Sequence, residues 1–163
     1  MSIRRLLPAI PAAILLAGLA VTSASAGTIP AGAAAHPADT CTVTSTLAGD
    51  HYSAVQIAQV AKYNGGFTGE GLVISIAVSL AESSGWTQAV LVDSDCSRDR
   101  GLWQINSYWH SEVTDAEAFD PPEAAQAAYN ISSSGNDWSP WTTYQDGAYQ
   151  QYMAEAQQAA NSV

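Results

Sequence analysis

The chain has 163 residues, 15 acidic and five basic, giving a formal charge of −10 at pH 7. With charged residues at only 12% and so few cations, it cannot hold a polyanion by counterion release, and anionic lipid surfaces repel it, so neither nucleic acid nor membrane is an expected partner. A hydrophobic share of 47%, with five Trp and seven Tyr, supports one folded domain rather than a disordered chain.

Arg4 and Arg5 precede an apolar run from Leu6 to Val21, and Ala24-Ser25-Ala26 follows as a small-residue cleavage site. This pattern predicts an export signal over residues 1–26, and therefore a secreted, extracellular protein. A spanning anchor is the poorer reading, because the run is short and broken by Pro8, Pro11 and Gly18. Signal removal takes two of the five cations and none of the 15 acids. Gly27 to Thr40, rich in Ala, Gly and Pro without periodicity, is expected to be a flexible leader, with the domain over 41–163. Cys41 and Cys96 show no metal-binding spacing, and in an exported chain they are expected to form a disulfide.

Within the domain, the apolar stripe Val55, Ala58, Val60, Ala61 predicts a helix over Ser53–Tyr63 that stops at Asn64-Gly65-Gly66. A second helix is predicted over Glu70–Glu82. Its residues Leu72, Val73, Ile74, Ile76, Ala77, Val78 and Leu80 leave no polar face, the signature of a buried central helix, and Gly85 ends it. Asp120-Pro121-Pro122-Glu123 combines a capping Asp, prolines in the first turn and a Glu three residues on, which starts a third helix. A last helix is expected from Asp146 to about Ala160. Alternating β-branched runs are scarce, so the fold class is mainly α: a compact helical domain around a buried central helix, with little or no β.

Glu82 ends the most hydrophobic helix in the chain. Two readings are open: either burial and the negative end of the helix dipole disfavour its charged form and raise its pKa toward that of a general acid working near neutral pH, or Glu82 simply faces water at a helix terminus. Glu82-Ser83-Ser84-Gly85 is followed by Arg100-Gly101-Leu102-Trp103-Gln104-Ile105-Asn106 and then by Ala128-Tyr129-Asn130. This ordered set resembles the lysozyme-like transglycosylase superfamily, of the SLT and goose-type lysozyme kind, and spans roughly residues 50–150. The resemblance implies a lysozyme-like fold, with Glu82 as general acid/base on a β-1,4 bond of peptidoglycan or a related N-acetylated glycan. It also implies substrate binding by Gln104, Asn106, Tyr129 and Asn130. Trp103 stands where the family has Met, and either stacks on a sugar or fills the core. Tyr129 either reaches the Glu82 carboxyl or is a core aromatic. The goose-type pattern places a second carboxylate thirteen residues after the Glu, at Asp95, with Asp93 and Asp99 as nearby competitors. A further family carboxylate falls on Asn106.

Other chemistries find little support. His36, His51 and His110 form no zinc motif, no G-x-S-x-G elbow occurs, and no phosphate loop is present, so neither metal nor organic cofactor is expected. Trp138-Ser139-Pro140-Trp141, with Tyr144, Tyr149 and Tyr152 beyond it, is either a sugar-stacking wall or C-terminal core. Three functions stay open: a monomeric lysozyme or lytic transglycosylase, a glycan-binding module without catalysis, and a hydrolase of a cationic glycan such as chitosan, attracted by the acidic surplus.

Overall fold

The computed structural model describes residues 40–163. The export signal and the leader therefore lie outside the described residues, apart from Thr40. After a short first strand, two short helical segments and a long helix follow. In α1 (Ala54–Val60), Ser53 and Gln56 form a capping box, each side chain taking up the other's backbone N–H. The predicted helix continues beyond α1 as one wide π turn over Ala61–Gly65, and Gly66 closes it in the left-handed region at φ 89°. Gly65 is constrained too, since a Cβ there would press on the Ala125 carbonyl.

The central helix α2 (Gly69–Ser83) runs one residue further at each end than the apolar pattern predicts. Leu72, Val73, Ile76, Ala77, Val78 and Leu80 are buried, as expected. Three serines are buried among them, and each hydroxyl is hydrogen-bonded, as a polar group in a core must be. Ser75 Oγ meets the Trp103 indole, Ser79 Oγ donates to the Leu102 carbonyl, and Ser83 Oγ donates to the Ser79 carbonyl. The first two of these contacts dock α2 against the segment that includes Gln104, and the third stays within the helix. Ser84 at φ 50° and Gly85 at φ 84° turn the chain away, so Glu82 sits in the last turn of the helix.

α4 (Pro121–Ile131) starts as predicted, with the Asp120 carboxylate accepting from the Glu123 N–H at 3.1 Å. The short α3 (Asp115–Phe119) before it has no counterpart among the predicted elements; it is set by a second capping box, Thr114 with Glu117. The expected C-terminal helix from Asp146 to about Ala160 is two pieces, a 3-10 turn over Ala148–Tyr152 and α6 (Met153–Asn161), and a separate short helix, α5 (Thr142–Gln145), precedes it. Gly147, at φ 82°, interrupts the helical path between α5 and the 3-10 turn. α1, α5 and α6 pack on α2, and α4 packs on the π turn.

The expectation of little or no β is corrected. Four antiparallel strands, β1 (Thr44–Thr46), β2 (Val90–Val92), β3 (Arg98–Arg100) and β4 (Ile105–Asn106), form one sheet in sequence order. Leu91 pairs with Asp99, and Asp99 with Asn106. Each strand has two or three residues, and β3 is Arg-Asp-Arg, so no alternating run of the usual length marks them in the sequence. So small a sheet needs outside support. The Cys41–Cys96 disulfide, closing 55 positions, ties the lead-in to β1 to the β2–β3 turn. Buried Arg100 donates to the Ile105 and Val113 carbonyls and, at 2.8 Å, to Asp115, which joins the sheet to α3. Among the described residues no helix is long and apolar enough to cross a membrane.

Candidate active site

The sheet and the end of α2 face each other across a cleft of about 710 Å³. Its lining includes Glu82 from α2, Asp93 and Asp99 from the sheet region, and Gln104, Asn106 and Trp109 from the segment beyond β3. Glu82 is half-buried. Burial pushes its pKa from the ordinary glutamate value up to about 7. Hydrogen bonds from the Thr143 side chain and backbone oppose that rise, and the negative charges of Asp99 and Asp146 add to it. The Thr143 hydroxyl donates to Glu82 Oε1 at 2.6 Å.

Asp99 lies on β3, also half-buried, and burial again raises its carboxyl above the usual range. The Asn106 amide opposes this by donating to Asp99 Oδ1 at 2.8 Å, while Asp93 and Asp95 add repulsion and Arg100 attraction. Asn106 knits this side of the cleft together. Its Nδ2 also reaches Ser97 Oγ at 3.2 Å, and its Oδ1 accepts from the backbone N–H groups of Tyr108 and Trp109. Trp109, 73% exposed, therefore stands on the cleft lip from a turn that Asn106 braces, with Tyr108 edge-on against it. A flat apolar ring so exposed offers a stacking face to a ligand in the cleft.

Gln104 lies in the left-handed region at φ 45°, reached through Gly101 at φ 72°. Its Nε2 donates to the Ala89 and Gly101 carbonyls at 3.0 and 2.8 Å. Both amide protons are thus spent on the frame, and what Gln104 can offer a ligand is the acceptor Oε1.

The structure gathers Glu82, Gln104 and Asn106 in one cleft and leaves other sequence candidates out of its lining. Asp95 accepts from the Ser97 N–H and hydroxyl and lines a separate small hollow with Cys96 and Tyr108. Trp103 is fully buried, its indole N–H at 3.1 Å from Ser75 Oγ, and so belongs to the core. Tyr129 packs edge-on against Phe67, ring centroids 5.1 Å apart. Asn130 is exposed and lines a groove with Glu117 and Glu123. Trp138 and Trp141 are buried, and Trp141 also forms part of the cleft floor. Two residues that act on Glu82 have a weak sequence signal or none. Asp99 is one of three neighbouring acids, and the strand that carries it is too short to read. Thr143 carries no sequence signal, because its contact with Glu82 spans 61 positions. Among the described residues no cluster of His, Cys, Asp or Glu could hold a metal ion.

A mainly helical domain whose central helix ends in a half-buried carboxyl, facing a small sheet with a second one, defines a lysozyme-like protein. Residues 58–143, more than half of the chain, match the lysozyme-like domain family, and the chain belongs to that family within the lysozyme-like transglycosylase superfamily. A crystal structure of a lysozyme from Litopenaeus vannamei superposes with a TM-score of 0.55 at 23% identity, covering 66% of this chain and 98% of that one. At this identity the likeness is one of fold. No curated protein sequence matches the chain significantly.

Proposed function

We propose that the chain is a secreted, monomeric glycosidase that hydrolyses β-1,4 bonds in the glycan strands of peptidoglycan, with Glu82 as general acid. The observation that carries this reading is a half-buried Glu82, its pKa pushed up to about 7, facing a second carboxylate across an open cleft. Two carboxyls in different environments are what glycoside cleavage uses. Family membership supports the glycan substrate, and the disulfide supports a site of action outside the cell.

In this scheme Glu82, protonated, gives its proton to the glycosidic oxygen as the bond to the anomeric carbon breaks. Asp99 replaces Asp95 as the second carboxylate. It is positioned to stabilise positive charge at the anomeric carbon or to orient water, and the Asn106 N–H favours its ionised form. Gln104 Oε1 accepts from a sugar hydroxyl or acetamido N–H, and the Trp109 ring carries a neighbouring sugar. An anhydro-forming transglycosylase needs only the one Glu. A second acid in the cleft therefore favours attack by water and reducing-end products. A pure binding module has no use for a desolvated carboxyl in its cleft.

One observation favours a variation in substrate. Glu82, Asp93 and Asp99 all line the cleft, and no Lys or Arg does. A glycan bearing free amines fits such a field well. Zymography on peptidoglycan with wild type and Glu82→Gln tests the main reading: clearing by wild type and none by the variant. Comparing fully and partly acetylated chito-oligosaccharides tests the variation, which predicts faster cleavage of the partly acetylated ones.

A further inference from the structure

We propose that Thr143 is a positioning residue for this reaction: presented by the Trp138-Ser139-Pro140-Trp141 segment, its hydroxyl holds one oxygen of the Glu82 carboxyl and leaves the other to carry the proton toward substrate. The proposal rests on the reading of Glu82 as the acid. Its basis is a chain of contacts that begins and ends on α2. Ser75, in the middle of that helix, lies 3.1 Å from the Trp103 indole nitrogen. The Trp103 carbonyl accepts from the Trp141 indole at 2.7 Å, and Trp141 is the residue before α5. The second residue of α5 is Thr143, whose Oγ1 donates to Glu82 Oε1 at 2.6 Å.

The segment ahead of Thr143 is fixed at its other end as well. The Trp138 indole donates to the Gly135 carbonyl at 3.1 Å, and its ring lies between Phe67 and Trp141, with centroids 5.6 and 4.9 Å away. Both tryptophans are buried, at 2% and 5% exposure. Donor and acceptor are thus anchored to the same helix, so little ordering is needed when the bond forms. The aromatic motif, with its two readings in the sequence, is the strut that delivers the hydroxyl.

The two carboxyl oxygens are thereby made unequal. Oε1 is engaged, so the proton resides on Oε2. In the chemical step the Oε2–H bond breaks, the proton passes to the glycosidic oxygen, and the electron pair of the breaking C–O bond goes to that oxygen. Glu82 is left as a carboxylate, and the Thr143 hydroxyl, already donating to Oε1, binds it more strongly than it bound the acid. An interaction that strengthens as charge develops lowers the barrier rather than only aiding binding. The charges acting on Glu82 from the packed elements are Asp99 on β3 and Asp146 after α5, both opposing ionisation; Asp93 and His110 share the cleft. Thr143 is the hydrogen-bond donor that offsets them.

Three variants at this position, with two readouts, test the proposal. Thr143→Val keeps the shape and removes the donor, Thr143→Ser keeps the hydroxyl, and Thr143→Ala serves if Val cannot fold. Steady-state kinetics against pH on a soluble glycan should show Thr143→Val lowering kcat about tenfold with KM within about twofold, and the alkaline limb moving to higher pH, while Thr143→Ser stays within about threefold. Carbon NMR of the Glu82 carboxyl without substrate should show it titrating at higher pH in the Val or Ala variant. An unchanged alkaline limb and kcat in Thr143→Val, or an equal loss in Thr143→Ser, overturns the proposal. If wild type cleaves no glycan, the reading of function fails, yet the carboxyl titration still decides: identical titration with and without the hydroxyl overturns the hold of Thr143 on Glu82.

Discussion

At Glu82 the cost of burying a charge and the gain from a donor act on one carboxyl, and burial wins. The group stays largely protonated up to about pH 7, so glycan cleavage should fall along an alkaline limb near that pH. Stability carries the same signature. Because the folded-state pKa lies above the unfolded value of 4.5, the folded protein binds the proton more tightly, and stability falls as pH rises from about 4.5 to about 7. Glu82→Gln should remove that penalty: no gain in a pH 4 melt, and up to about 3 kcal/mol at pH 8, alongside loss of at least about 100-fold in activity. Equal melting gains at both pH values would contradict the burial argument. The carboxylate opposite makes a sharper comparison. Asp99→Asn should cost roughly 100-fold in kcat, whereas Asp95→Asn, outside the cleft, should stay within about threefold.

Among the elements, α2 shows how unevenly the fold could be read. Its all-round apolar run marks a buried helix, and Glu82, the proposed acid, follows at its end. Asp120-Pro121-Pro122-Glu123 likewise states its helix start locally, and Asp120 caps it as the pattern requires. The sheet is held by partners distant in sequence instead: a disulfide, the Arg100–Asp115 pair, and Asn106 reaching back to Asp99. Nothing local in Arg98-Asp99-Arg100 announces a strand, so Asp99, the proposed second carboxylate, is legible only as one of three nearby acids. The Thr143 contact was not legible at all, since it exists only once the tryptophans are packed. The same logic makes the sheet vulnerable. Removing the disulfide through Cys41→Ser with Cys96→Ser should lower stability by about 4 kcal/mol in the chain-entropy model, read as a lower urea midpoint. The approach to Gln104 is tighter still. Gly101 has φ 72°, and a Cβ there would collide with the Ala118 carbonyl. Gly101→Ala should therefore cost more than about 2 kcal/mol, and soluble, fully active Gly101→Ala protein would contradict the geometry.

For the whole molecule, charge is the dominant fact. The described residues contain three Lys and Arg side chains, Lys62, Arg98 and Arg100, and the two arginines are both paired with Asp115. The acidic surplus is left almost unopposed, so anionic wall polymers should repel the protein. Cleavage of intact anionic walls should rise between about 10 and 150 mM salt as screening shortens the range of that repulsion, and cleavage of small neutral oligosaccharides should not. A flat profile on both would remove charge from the account of substrate choice. The proposal that this fold cuts peptidoglycan by hydrolysis, with Glu82 supplying the proton, is tested most directly by mass spectrometry of the fragments released from purified walls by wild type and Glu82→Gln. The expected result is muropeptides with reducing ends from wild type and none from the variant. Anhydro ends, or equal release by the variant, would contradict it.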